Sequence, residues 1–141
     1  LPAAPFGEED LITPIDDTVS CVVVQSPDVF GNLVDLKPIA EAAHKAGADI
    51  VELHTGPYSH AEGADAIDKA LDAIETAAHC AWELGLDVHA GHGLNYHNVE
   101  RLLRQVPVEK VNIGHSIVSR AVFTGLENAV RDMKNIVASA G

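Results

Sequence analysis

No apolar stretch in the 141 residues approaches the roughly 20 needed to span a membrane, and no leader-like pattern opens the chain, so a water-soluble protein is expected. Basic side chains are scarce: 9 Lys and Arg stand against 21 Asp and Glu, a formal charge of −12. Nucleic acid and anionic membranes both demand clustered Lys and Arg, so neither is an expected partner. Cysteine is scarcer still, with Cys21 in an apolar run and Cys80 in a helical pattern. Both read as buried thiols rather than a disulfide framework, which fits a reducing cytoplasm. Aromatic residues are only 4%, so the 47% hydrophobic content is mainly aliphatic. The length falls short of the roughly 200 residues a closed eight-stranded α/β barrel needs, leaving one α/β domain over residues 1–141 as the expectation.

What the chain does carry is alternation. Residues 1–17, rich in Pro, Gly and acids, show no period and read as an irregular lead-in. Strand-like runs at Val19–Gln25, Ile50–His54, Leu86–Ala90 and Lys110–Ile113 are separated by helical patterns, which predicts a parallel sheet with crossover helices. Asp35 is a cap for a helix with Leu36, Ile39, Ala40 and Ala43 on one face, ended by Gly47. Ile67, Ala70, Leu71, Ile74, Ala78 and Ala81 form a second stripe, stopped at Gly85. Asn98 caps a short helix with Val99, Leu102 and Leu103 inward, and Thr124 with Glu127 forms a capping box for the last helix.

The strands differ. Val19–Val24 is apolar at nearly every position, the mark of a strand covered on both faces, whereas the second and fourth runs alternate. Val51, Leu53, Val111 and Ile113 then face helices, and Glu52, His54, Asn112 and Gly114 face the other side, with His89 a candidate to join them. The expected architecture is four parallel strands in order 1-2-3-4, a half-barrel-like βα array with all helices on one face. The opposite face would be open, so two copies pair across it as a homodimer or the lead-in covers it. The alternative is a flavodoxin-like doubly wound sheet of order 2-1-3-4.

Two Gly-His turns, Ala90–His97 and Val111–Ser116, each close an apolar run and open a helical one. Glycine lets backbone approach a ligand, free amides at a helix start attract an anion, and imidazole moves protons near neutral pH. That pattern makes a small anion the expected ligand. His92, between two glycines, has little to pack against and reads as a site residue. Glu52 inside a strand is either a site carboxylate or part of an open face. His54, His89, His92 and His115 suggest a zinc cluster, but no short metal motif fixes their geometry, and neither metal nor cofactor is expected. His44, His60 and His79 read as surface or structural, and Gly7 and Gly31 as turn residues.

Residues from about Ala48 to Gly141 resemble the C-terminal part of the pyridoxine 5'-phosphate synthase family, the last three βα units of its barrel. The resemblance rests on Val51-Glu-Leu-His-Thr-Gly56 with Tyr58, Ala90-Gly-His-Gly-Leu-Asn-Tyr-His-Asn98, Asn112-Ile-Gly-His115 and Ser119-Arg-Ala-Val-Phe-Thr-Gly125. The first third is similar instead to a strand-helix segment of glycine decarboxylase, the P-protein of the glycine cleavage system. Val22-Val-Val-Gln-Ser-Pro-Asp-Val-Phe-Gly31 and Asp35-Leu-Lys-Pro-Ile-Ala-Glu-Ala-Ala-His-Lys-Ala-Gly47 carry that likeness, and that family's doubly wound domain accounts for the wholly apolar run. A chimera joined near Ala46–Ala48 is expected, by engineering or by gene rearrangement.

The synthase resemblance implies condensation of 1-deoxy-D-xylulose 5-phosphate with 3-amino-2-oxopropyl phosphate, with loss of phosphate and water. It implies that His92 is the proton donor, that Glu52 stabilises the transition state, and that Gly93, Gly114 and His115 hold the aminoketone phosphate. The family's remaining bases and the arginines for its second phosphate lie on earlier barrel strands. A non-catalytic scaffold with a weak phosphate site is therefore the expectation, and a synthase working only with those strands the alternative.

Overall fold

The computed structural model describes residues 12, 15–26 and 35–140, and they fall into two compact units, 1–49 and 50–141. Gly7, Gly31 and most of the lead-in lie outside the described residues.

In the first unit the apolar run Val19–Gln25 forms no strand. Upstream, the Thr18 amide and hydroxyl both donate to Asp16 Oδ1 (2.9 and 2.6 Å), and the Val19 amide donates to the Asp16 carbonyl (3.1 Å), closing a turn. An apolar run becomes a strand only where a neighbour supplies the ladder, and no described strand pairs with this one. Val23 is 92% exposed and Cys21 is exposed. The expectations of a fourth strand and of a buried Cys21 are thereby corrected; Cys80 is half-buried, and both thiols are free. Helix α1 (Lys37–Lys45) follows, with Pro38 in its first turn and the Lys37 amide bonded to Asp35 Oδ1 at 3.0 Å. Gly47, at φ 104°, takes the left-handed conformation that ends it.

The second unit runs β1 (Ile50–His54), α2 (Gly56–Ser59), α3 (Ala64–Glu83), β2 (Asp87–Gly91), α4 (Val99–Gln105), β3 (Lys110–Asn112), α5 (His115–Thr124) and α6 (Leu126–Ala140). The strands are parallel in the order β1-β2-β3. Sequential order is what the half-barrel-like array requires, and no described strand intrudes between them as the flavodoxin-like order would place one.

Helix α3 buries the predicted stripe Leu71, Ile74, Ala78 and Ala81 and packs on β1 and β2. Leu71, Val88, Val99 and Leu102 are fully buried, each worth about 1.5–3 kcal/mol of hydrophobic transfer. The final helical region is two helices, parted at Gly125 (φ 81°). No capping box forms there. The Thr124 hydroxyl donates back to the Arg120 carbonyl (3.2 Å), Asn128 Nδ2 donates to the Thr124 carbonyl (2.8 Å), and Glu127 pairs with Arg131. Arg120 lies 4.7 Å from the Tyr96 ring centroid and bonds Asp132, tying α5 and α6 to the loop before α4. Helix α5 has no buried residue, and Val118, Val122 and Phe123 are exposed. No helix among the described residues is long and apolar enough to cross a membrane.

Candidate functional site

Register decides which side chains share a face of the sheet. Glu52 pairs with His89, His54 with Gly91, His89 with Lys110 and Gly91 with Asn112. Because side chains alternate along a strand, Glu52, His54, His89, Lys110 and Asn112 lie on one face, and Val51, Leu53, Val88, Ala90 and Val111 on the other. This matches the alternation read from the sequence, His89 included. Asn112 Nδ2 donates to Glu52 Oε2 at 2.7 Å, reaching across β2. Gly91 permits this, since any Cβ there would collide with the Glu52 carboxylate. His89 shares the face, and its Nε2 is buried without a hydrogen-bond partner.

At the C-terminal ends of β2 and β3 a cleft of about 490 Å³ is lined by His60, His92, Gly93, Leu94, Asn95, Asn112, Ile113, Gly114, His115 and Ser116. Four of the five expected site residues, His92, Gly93, Gly114 and His115, line it together. Glu52 does not, but its bonded partner Asn112 does.

The first Gly-His turn runs on to Asn98, and α4 opens at Val99, where the sequence places it. His92 and Gly93 both adopt φ 76°. For Gly93 the glycine is obligatory, because a Cβ would lie 2.6 Å from Ser59 Cβ and would strike its hydroxyl. The carbonyls of residues 91–94 are tied from outside the turn. Thr55 Oγ1 lies 2.8 Å from the Gly91 oxygen and 2.6 Å from the His92 oxygen, Asn98 Nδ2 donates to Gly93 (3.1 Å), and Ser116 Oγ donates to Leu94 (2.9 Å). Among the described residues the Gly93 and Leu94 amides donate to no protein acceptor. Asn98, expected to cap α4, points back into this turn, its Oδ1 also accepting from the Asn95 amide at 2.7 Å.

The second turn opens a helix as well. Gly114 caps α5, whose first intrahelical bond runs from the Val118 amide to the Gly114 carbonyl (3.0 Å). The amides of His115, Ser116 and Ile117 precede that bond and have no helical acceptor. Gly114 sits at φ −120°, so its conformation does not require glycine, but a Cβ there would meet nothing within 4 Å. Its backbone stands open to the cleft mouth.

The His54 ring stacks on His92, with centroids 4.5 Å apart and planes at 25°. His54 Nδ1 accepts from the Gly56 amide (3.3 Å). His60, read from sequence as surface or structural, lines the cleft, and its Nδ1 donates to the Gly56 carbonyl (2.9 Å). Tyr58 is buried, donates to the Asn98 carbonyl at 2.7 Å, and has its hydroxyl pKa raised by burial against the opposing charge of Arg101. Among the described residues no three His, Cys, Asp or Glu are placed to hold a metal ion, so the four histidines do not converge as a zinc cluster.

The model of the family described as "Pyridoxal phosphate biosynthesis protein PdxJ" matches residues 33–139. A pyridoxine 5'-phosphate synthase from Chlorobium phaeobacteroides is 49% identical over 104 residues, covering 74% of this chain and 43% of that protein. The one from Akkermansia muciniphila is 40% identical over 139 residues, 95% of this chain and 53% of the relative. The chain thus spans about half the length of these relatives or less. A probable glycine dehydrogenase (decarboxylating) subunit 1 from Xanthobacter autotrophicus is 89% identical over 55 residues, 39% of this chain but 12% of that protein. The two resemblances fit a chimera. A 55-residue match and one over 33–139 cannot lie in 141 residues without sharing some, so the two likenesses overlap.

Proposed function

The chain belongs to the pyridoxal phosphate biosynthesis protein PdxJ family, and from that premise we propose that its cleft binds the phosphate of a small phosphorylated aminoketone. The observation that carries this reading is convergence: the Gly93 turn, with the Gly93 and Leu94 carbonyls bonded and their amides left over, meets the start of α5, where Gly114 brings no side-chain cap, in one cleft. Free amides at a helix start and the positive end of its dipole favour an anion, and Gly114 leaves the approach open. Imidazoles of His92 and His115 supply further donors. The site is exposed and the chain carries −12, so affinity is weak, on the order of 1 mM for inorganic phosphate.

Catalysis is a second reading, favoured by the synthases that the chain resembles. In it His92 gives a proton to the leaving oxygen, while Glu52, oriented by Asn112, faces positive charge that develops on the substrate. Electrostatic stabilisation of that kind is strong only in a site shielded from water, and Glu52 and His92 are both exposed. The unit therefore binds phosphate without turnover until further strands, or a second copy of the chain paired across the Glu52–His89–Lys110 face, cover it.

Titration with inorganic phosphate, followed by amide NMR, tests the binding. Shifts at Gly93, Gly114, His115 and Ser116 are expected, and none at tens of millimolar ligand would end the proposal. Formation of pyridoxine 5'-phosphate by the chain alone, abolished by His92→Ala, would overturn the non-catalytic part.

A further inference from the structure

We infer that Thr55 is a positioning residue that fixes His92 at the cleft; the inference builds on the reading of His92 as a site residue. Thr55 is 0% exposed and is the one buried polar side chain among the described residues. Its amide and hydroxyl address the two consecutive peptides that flank His92: the amide donates to the Gly91 carbonyl at 2.8 Å, and the hydroxyl reaches the Gly91 and His92 carbonyls at 2.8 and 2.6 Å. A hydroxyl carries one proton, so the two carbonyl oxygens share it and must converge on a single point. That convergence sets the relative orientation of the Gly91–His92 and His92–Gly93 peptides, and with it the direction in which the His92 side chain leaves the backbone.

The constraint is needed because His92 lies at φ 76°, a conformation that a side-chain-bearing residue adopts only when its surroundings hold it. The preceding residue completes the hold: His54 stacks on the His92 ring and is itself fixed by the Gly56 amide. His54 and Thr55 thus grip the ring and the backbone of His92 from the end of β1.

Thr55→Val and Thr55→Ser separate this from simple core filling. Valine keeps the volume and loses the hydroxyl; serine keeps the hydroxyl and loses a methyl. A filler predicts the serine variant to be worse, whereas a positioning hydroxyl predicts the reverse. In the whole labelled chain, Thr55→Ser should retain the nuclear Overhauser contact between the His54 and His92 rings and hold phosphate affinity within about twofold. Thr55→Val should lose the ring contact and bind phosphate about fivefold more weakly, the worth of one hydrogen bond. Loss of the ring contact in Thr55→Ser, or its survival in Thr55→Val, would overturn the inference. If Thr55→Val does not fold, the unaltered chain still decides: the Thr55 hydroxyl proton should be protected from exchange, and fast exchange refutes the clamp. Should the unaltered chain bind no phosphate, the ligand reading fails while the ring contact still judges Thr55.

Discussion

Gly93→Ala probes the cleft most directly, because two separate costs fall on one methyl group. The first is conformational: at φ 76° an alanine gives up roughly 1–2 kcal/mol that glycine does not. The second is steric: the new Cβ lands 2.6 Å from Ser59 Cβ and against its hydroxyl, on a one-turn helix that cannot yield without moving Thr55 and Gly56, and overpacking of this kind costs about 1–3 kcal/mol. Alanine's smaller unfolded-state entropy returns about 0.4–1 kcal/mol, so a net loss of about 1–4.6 kcal/mol is expected. Urea unfolding followed by circular dichroism at 222 nm reads it through α3, α4 and α6. Ser59→Gly removes the steric part alone, so a double-mutant cycle should show a coupling of about 1–3 kcal/mol, with the conformational part remaining. A coupling below about 0.5 kcal/mol would refute the contact, and a Gly93→Ala loss below the same figure would refute the turn itself.

Other perturbations have defined outcomes. Burial holds the Tyr58 proton above its ordinary pKa of 10.0, so the folded chain binds that proton more tightly than the unfolded one. The stability this contributes is complete below about pH 10 and is lost as pH rises through the folded value; Tyr58→Phe should flatten the alkaline fall in urea stability, and parallel curves would refute it. Leu102→Ala removes a side chain of 0% exposure and should cost about 2–5 kcal/mol in the same urea assay. Phe123→Ser alters an 89% exposed ring and should leave stability within about 0.5 kcal/mol, while lowering dye binding to exposed apolar surface. Lys110→Glu, on the proposed pairing face, should lower the solution mass in sedimentation if two copies meet there, and Phe123→Ser should not.

Much of the second unit was legible because its signals are local. Alternation placed Glu52, His54 and Asn112 on one face, and the α3 stripe matched the buried residues because a helix 20 residues long carries its own period. Partners decided the rest. Val19–Gln25 has strand composition, but pairing is a tertiary property, and Val23 ends 92% exposed. Asn98 and Thr124 have the right chemistry for caps and spend it elsewhere, on the Gly93 and Arg120 carbonyls. Thr55 escaped notice because its acceptors lie 36 and 37 residues away, a distance no spacing rule spans. His60 carried one available signal: its distance from β1 placed it just past the Gly56-Pro57 turn, on the same sheet end as His92.

The proposed separation of binding from turnover follows from the different contacts that would support each. Thr55 to Gly91 and His92, Asn98 to Gly93, and Ser116 to Leu94 are all closed within residues 50–141, so the cleft proposed to bind an anion is shaped by the three-stranded unit itself. The proton chemistry depends on what opposes Glu52, His54, His89 and Lys110, a face whose polar row includes a histidine nitrogen buried without a partner. An unpaired buried nitrogen costs about 1–3 kcal/mol, so any element that covers the face and accepts a hydrogen bond from His89, or donates one to it, is favoured by that amount. Closure of the sheet and completion of the acid–base site are thereby drawn to the same surface. The proposed phosphate cleft does not depend on that closure, because its own contacts lie beyond the strand ends.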